Sequence, residues 1–386
     1  MAINAVQGRV QALMDELVAS GAERGLQVAI YHGEELVVDA WAGIADPATG
    51  RLVDGDTLFT VFSTTKGIIA TLIHMQAARG ALDYDTPIAR YWPEFGAHGK
   101  EGITARHALT HTAGIPQMPE GVGPAELCDW DGMCRRVAEL RPLWPPGAFT
   151  GYHGLTVGWI LGGLAERVGG TPLPHLLRGE ISAPLGISSL YLGLDAAAEG
   201  RVAELESAPP RDADPTEPPL FSPFTALSLE NLNERAFPLS LQPLEVVFNR
   251  PEVRRAIVPA AGGIMNARAI ARHYAALACG TLDGVQLLTP EVIRQISTQQ
   301  TADDDVVLGA PIRKGLGYFL SGPHMPLSGM PAAFGHPGHG GSLGFADPEH
   351  RLALGFTKNY IIGGPGRPTD AAYLILREAR AALGLS

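Results

Sequence analysis

The feature that most constrains the fold is where the strand-like segments lie. They cluster at the two ends of the chain, and helical patterns fill the region between. Leu26 to Tyr31 and Glu35 to Ala40 are β-rich runs separated by His32-Gly33-Glu34, which reads as a hairpin. Gly315 to Leu320, Gly341 to Ala346 and Leu352 to Thr357 read as strands near the other end, with Asp347-Pro348-Glu349-His350 as a turn. A half-sheet cannot bury its own apolar face, so the two ends are expected to join in one antiparallel sheet.

Helices should cover that sheet. Val6, Val10, Leu13, Met14 and Leu17 fall at helical spacing and open the chain with a surface helix. Ala371 to Leu383 closes it with another, and Ala267 to Leu277 and Pro290 to Ser297 are also helical. Between about 83 and 249 the pattern changes to short helical runs broken by Pro and Gly: Thr104 to Leu109, Cys134 to Leu140, Leu155 to Val168 and Leu173 to Ile181. The expected architecture is α+β. One part comprises 1–82 with 250–386, the other is a mainly helical insertion over 83–249, and a site is expected between them. Ala208 to Pro223 is proline-rich and aperiodic, a stiff connector able to border a pocket. At 386 residues with 46% hydrophobic content, the chain can bury a core of that size.

Within this frame the chemistry concentrates at Ser63-Thr64-Thr65-Lys66. Leu58 to Phe62 leads as a short strand or turn into Ser63, and Thr65 to Ala78 is helical until Gly80 ends it. A serine hydroxyl needs a neighbour to take its proton, and positions i and i+3 of a helix share a face. The chain has only four lysines, Lys66, Lys100, Lys314 and Lys358, and Lys66 alone follows a serine at this spacing. Two later segments are candidates to complete the site. Tyr152 follows Pro146-Gly147 at a loop–helix junction, where a phenol can move a proton or simply sit half-buried. Phe334-Gly335-His336-Pro337-Gly338-His339-Gly340-Gly341-Ser342 is a glycine-rich segment whose backbone can approach a ligand, or merely a tight turn between strands.

Rivals weaken on inspection. Gly340-Gly341-Ser342-Leu343-Gly344 matches a G-x-S-x-G nucleophile elbow, but a strand follows Ser342 where the elbow needs a helix. His107 with His111, and His336 with His339, lack a glutamate and a third ligand. His111 is better read as bonding within its loop. Asp303-Asp304-Asp305 lacks calcium-loop spacing and reads as a solvated loop. No phosphate-cradling loop or dinucleotide fingerprint occurs, so no metal and no cofactor are expected. A net charge of −11 disfavours nucleic acid as a partner. No apolar stretch reaches membrane-spanning length and no export signal is recognisable, so the expected compartment is cytoplasmic. Cys128, Cys134 and Cys279 do not form a disulfide framework and are expected to be buried small hydrophobes. Monomer and homo-oligomer are both compatible with the sequence.

Taken in order, Ser63-x-x-Lys66, Tyr152 and His336-Pro337-Gly338 resemble the three motifs of the serine β-lactamase/penicillin-binding-protein superfamily. Leu109-Thr110-His111-Thr112-Ala113-Gly114, Ala183-Pro184-Leu185-Gly186 and Asp347-Pro348-Glu349 agree with it, so the resemblance runs from about Gly25 to Asn359. The Tyr152-His153-Gly154 and His336-Pro337-Gly338 blocks look closest to family VIII carboxylesterases. The resemblance implies a β-lactamase-like fold and an acyl-enzyme on Ser63, with Lys66 and Tyr152 as coupled proton carriers. In that reading Tyr152 takes the Ser63 proton. It also implies an oxyanion hole from the Ser63 and His339 amides, with His153, His336 (as a hydrogen-bond donor) and Gly338 at the substrate. Two departures matter: Gly154 stands where the β-lactamase pattern has Asn, and His336-Pro337 stand where it has Lys-Thr. The latter pair contacts a drug's carboxylate, so its loss favours a neutral, small-molecule carboxylic ester. An acyltransferase, a β-lactamase or D-amino-peptidase, and a non-catalytic binding protein of the same fold are the alternatives.

Overall fold

The computed structural model describes residues 2–208, 231–322, 325, 327, 329–361 and 370–385. Apart from Ala208, the proline-rich connector lies outside the described residues.

The two ends of the chain do share one sheet. Strands β1 (Gly25–His32), β2 (Glu35–Asp46), β3 (Arg51–Leu52), β4 (Phe319–Leu320), β5 (Phe334–Pro337), β6 (Leu343–Asp347) and β7 (Leu352–Lys358) form seven strands in the order β4-β5-β6-β7-β1-β2-β3. Every neighbouring pair is antiparallel. The junction between the two ends is β1 on β7, with Leu26 opposite Lys358 and His32 opposite Leu352.

Alternation along β1 sends its side chains to two different layers. Leu26, Val28 and Ile30 join a core with Val6, Val10 and Met14 of helix α1 (Ala2–Ala19) and with Ile375 and Leu376 near the chain's end. Ala29 and Tyr31 face the other way and join the core containing Ile270, Ala271 and Tyr274. The fold is therefore α+β, a large antiparallel sheet flanked by helices.

Most of the remaining helices fall where the spacing places them. Helix α2 spans Thr65–Ala78, α3 Thr156–Gly169, α4 Ala267–Cys279 and α5 Ala371–Leu383. The inserted region is mostly helical, with further short helices at Ala105–Leu109, Trp130–Ala138 and Leu173–Leu177. The last is followed by one wider turn over Arg178–Ser182.

Two expectations need correction. The glycine-rich segment is not a turn throughout, because 334–337 pairs as β5 between β4 and β6. The stretch from Gly315 is extended and paired only at Phe319–Leu320. A second, three-stranded sheet of Phe59–Thr60, Gly263–Met265 and Leu190–Leu192 was not evident from sequence, since each strand is only two or three residues long. It anchors the backbone just before Ser63. No helix among the described residues is long and apolar enough to cross a membrane. Cys134 is buried, Cys128 and Cys279 are partly so, and all three are free thiols.

Candidate active site

Ser63 sits in a tight 3₁₀ turn, Phe62–Thr64, that runs directly into α2. Three contacts fix that turn. The Val61 amide donates to the Gly263 carbonyl at 2.9 Å. The Thr65 hydroxyl donates to the Phe62 carbonyl at 2.6 Å and accepts from the Gly263 amide at 3.0 Å. Phe62 itself has φ of 45°, a left-handed conformation that a bulky residue rarely adopts. Its buried ring is held edge-on between Phe248 and His339, 5.2 and 5.3 Å away. Strain of this kind persists only where packing over-determines it, and here it aims the following residue. Ser63 is half-exposed, while its neighbours from Val61 to Lys66 are buried.

One helical turn on, Lys66 Nζ lies 2.9 Å from Ser63 Oγ and donates to the Ala260 carbonyl at 2.9 Å. Burial holds the Lys66 ammonium well below the usual lysine range, because a charge there has given up its water. The same Nζ stands 5.0 Å from the centroid of the Tyr152 ring. The Tyr152 phenol shares a hydrogen bond with Ser63, yet burial outweighs it and raises the phenol above the normal tyrosine range. The structure thus brings Ser63, Lys66 and Tyr152 into one cluster.

What holds Tyr152 was missed in the sequence. Asp305, read as part of a solvated acidic loop, is completely buried. Its Oδ1 accepts from the amides of Tyr152, Val307 and Leu308 at 2.9, 3.0 and 2.9 Å. Its Oδ2 is 2.7 Å from Lys314 Nζ, which also donates to Thr150 Oγ1 at 2.6 Å. A carboxylate is tolerable here because it gains a matched ammonium and three N–H donors. All four lysines of the chain are buried. Lys100 donates to the Ala97 and Leu140 carbonyls, and Lys358 pairs with Glu23.

The histidines divide by their partners. His153 is fully buried, with Nδ1 donating to the Gly151 carbonyl and Nε2 accepting from the Ile115 amide. Both ring nitrogens are spent on backbone, so the ring holds the loop and has nothing to offer a substrate. This corrects the expectation that placed it at the substrate. The His111 ring reaches out of its own loop: its Nδ1 accepts from the His153 amide at 3.1 Å, and it lies 4.9 Å from the ring of Tyr152, while its backbone amide bonds locally to the Ala108 carbonyl. His336 on β5 is buried between Phe319, 4.6 Å away, and Tyr152, 6.2 Å away. Its Nδ1 lies 2.8 Å from the Pro337 carbonyl and donates to it, which leaves Nε2 as a buried, unmatched acceptor. Burial, with Lys66 nearby, pushes the ring down to about 3. His336 is therefore neutral, and its free nitrogen accepts where a donor was expected.

The backbone after His336 closes on the Ser63 turn. A Cβ on Gly338 would lie 2.3 Å from the Val61 carbonyl oxygen and 3.0 Å from Thr64 Oγ1, so only glycine permits the approach. His339 follows, exposed, with its ring on Phe62. Ser342 is buried and leads into β6, without the strand–turn–helix context of a nucleophile elbow. Asp347 and His350 bond to each other at 2.6 Å in the following turn, and with Glu349 they are the one group among the described residues with metal-ligand proximity.

Residues 10–378 match the beta-lactamase family. The chain belongs to that family. It is 35% identical over 369 residues to the esterase/beta-lactamase LipL of Mycobacterium tuberculosis, covering 92% of this chain and 83% of that protein. Among solved structures, it resembles a family VIII carboxylesterase with a TM-score of 0.87 at 33% identity, covering 98% of this chain and 97% of that one. A penicillin-binding protein homologue from Caulobacter crescentus gives 0.85 at 34% identity, with 98% and 97% covered. EstA from Arthrobacter nitroguajacolicus gives 0.83 at 30%, with 97% and 96% covered. Membership places the chain among β-lactamase-like serine hydrolases.

Proposed function

We propose that this protein is a carboxylesterase that cleaves small neutral esters through an acyl-enzyme on Ser63. The observation that carries the reading is the 2.9 Å approach of Lys66 Nζ to Ser63 Oγ, with the amine stripped of water. An amine held below its usual range is a base near neutral pH. A phenol held above its range keeps its proton. These two directions favour Lys66 as acceptor of the Ser63 proton, the step expected of Tyr152 from sequence, and keep Tyr152 as donor to the departing alkoxide.

In this mechanism Ser63 Oγ attacks the ester carbonyl as its proton passes to Lys66. The negative charge on the former carbonyl oxygen meets the amides of Ser63 and His339, an arrangement worth roughly 3–4 kcal/mol per donor in serine hydrolases. The C–O bond to the alcohol breaks as Tyr152 gives up its phenolic proton, and Lys66 returns a proton to Tyr152. Water then repeats the sequence on the acyl-enzyme and releases the acid. Gly338 admits the backbone closely enough to place His339. The division into 1–82 with 250–386 and an inserted 83–249, with the site between, belongs to the same reading. So does a cytoplasmic location.

A neutral substrate suits the electrostatics. Lys314 is matched to Asp305, and His336 is uncharged, so neither is a cation available to a carboxylate. The esterase/beta-lactamase designation of LipL supports testing β-lactam turnover beside ester turnover.

The test is mass spectrometry after exposure to a phosphonate or a slow p-nitrophenyl ester. The adduct is expected on Ser63, and Ser63→Ala should lower ester turnover by a factor on the order of 10⁴–10⁶. Ser342→Ala should keep its turnover. Intact turnover in Ser63→Ala would sink the reading.

A further inference from the structure

Position 154 and Phe237 exclude one another. A Cβ built on Gly154 would lie 2.1, 2.5 and 3.0 Å from Cζ, Cε1 and Cε2 of the Phe237 ring. Real side chains do not approach so closely, so the ring occupies the space that any side chain at 154 would need. Phe237 follows a short helix, Leu232–Ala236, and its amide closes that helix on the Asn233 carbonyl at 2.8 Å. The Arg235 carbonyl accepts from the Met118 amide at 2.8 Å and ties the helix to the segment beside His153. The ring is half-buried, packs against both apolar cores, and lies tilted at 32° with its centroid 6.4 Å from that of Tyr152.

We propose that Phe237, admitted by Gly154, is the apolar wall against which the acyl group of the substrate lies, and that it selects plain alkyl or aryl acyl groups over acylamino ones. This rests on the esterase reading above. The acyl group stays on Ser63 through both half-reactions, whereas the alcohol side must open to water. A ring fixed by close packing suits the group that stays. A hydrocarbon chain leaves water on meeting this ring, but an amide nitrogen or carbonyl there loses its hydrogen bonds to water and gains none. A side-chain amide at 154 would reverse that preference, and the ring excludes it.

The experiment compares p-nitrophenyl butyrate with p-nitrophenyl N-acetylglycinate, which share a leaving group. In the wild type, kcat/KM should favour butyrate by roughly 10–100-fold. Phe237→Ala should cut that ratio about tenfold, mainly through butyrate, and Phe237→Leu should restore most of it. Gly154→Asn in the Phe237→Ala background should shift the ratio further toward the acetylglycinate. An unchanged ratio in Phe237→Ala and in the double variant, with Ser63 still labelled by phosphonate, overturns the proposal and leaves the esterase reading standing. A change confined to discrimination among alcohols overturns it equally. Absence of Ser63 labelling in the wild type overturns the esterase reading itself.

Discussion

The main-chain amide of Tyr152 donates to the carboxylate of Asp305 across 2.9 Å, joining residues 153 positions apart. The same carboxylate is neutralised by Lys314. The phenol beside Ser63 is therefore placed by a buried ion pair on a different part of the chain.

Breaking that pair should cost both stability and catalysis. Lys314→Met leaves a buried carboxylate without its ammonium, and Asp305→Asn leaves the ammonium without its carboxylate. Each should lose about 3–5 kcal/mol of unfolding free energy. The double variant removes both charges and should regain most of that loss. Urea denaturation of the four proteins checks it, and equal additive losses in the double variant would show that the charges do not act as a pair. In whichever single variant stays folded, kcat should fall more than KM changes, because what has moved is the phenol.

Acid should unfold the protein well before its carboxylates are protonated. Burial pushes His74 and His153 down to about 4, and His273 and His336 down to about 3. In the unfolded chain each titrates near ~6.5. Below that pH the unfolded state takes up protons that the folded state refuses, so stability falls with falling pH. Each imidazole contributes about 1.4 kcal/mol per pH unit, and four give roughly 5 kcal/mol per unit between about pH 6 and pH 4. Denaturation midpoints at pH 7, 6 and 5 measure the slope, and His273→Gln should reduce it by about 1.4 kcal/mol per pH unit. A flat profile over that range contradicts it.

Gly338→Ala tests the closure of β5 on the nucleophile turn. The position has φ of −104°, which alanine adopts freely, so the conflict is steric, chiefly the 2.3 Å contact with the Val61 carbonyl oxygen beside a 3.0 Å contact with Thr64 Oγ1. Relief must push the two segments apart, at about 1–3 kcal/mol of overpacking. A displacement near 1 Å at reacting groups costs on the order of 10²-fold in rate. The expected outcome is a folded protein with kcat down by about that factor. Unchanged kcat would detach Gly338 from the site.

The sequence made some of this readable and hid the rest for physical reasons. Ser63 and Lys66 were legible because a helix start and an i, i+3 spacing are local. Helix α2 begins and ends where its pattern does. The shared sheet was legible because β1, β2 and β7 are β-rich runs bounded by turn residues. Strand β5 was not, because Gly335, Pro337 and Gly338 carry the composition of a turn. Asp305 was hidden for a different reason. A carboxylate in an acidic run looks solvated unless its partner is known, and here the partners are Lys314 and three amides. His153 failed likewise, since its partners are backbone groups that no side-chain motif records. Phe237 stood in no motif at all; the only trace of it was the absence of a side chain at Gly154.

The burial of all four lysines has a practical corollary. The folded surface draws its side-chain positive charge from guanidinium groups, which acylating reagents leave alone at neutral pH. An N-hydroxysuccinimide dye or a lysine-directed crosslinker finds no exposed side-chain amine while the fold is intact. Four lysine side chains become available when it opens, so label found on lysine, read by peptide mapping, reports unfolded molecules. Attachment to a support through lysine would select for denatured protein, and coupling through engineered surface cysteine or arginine chemistry avoids that.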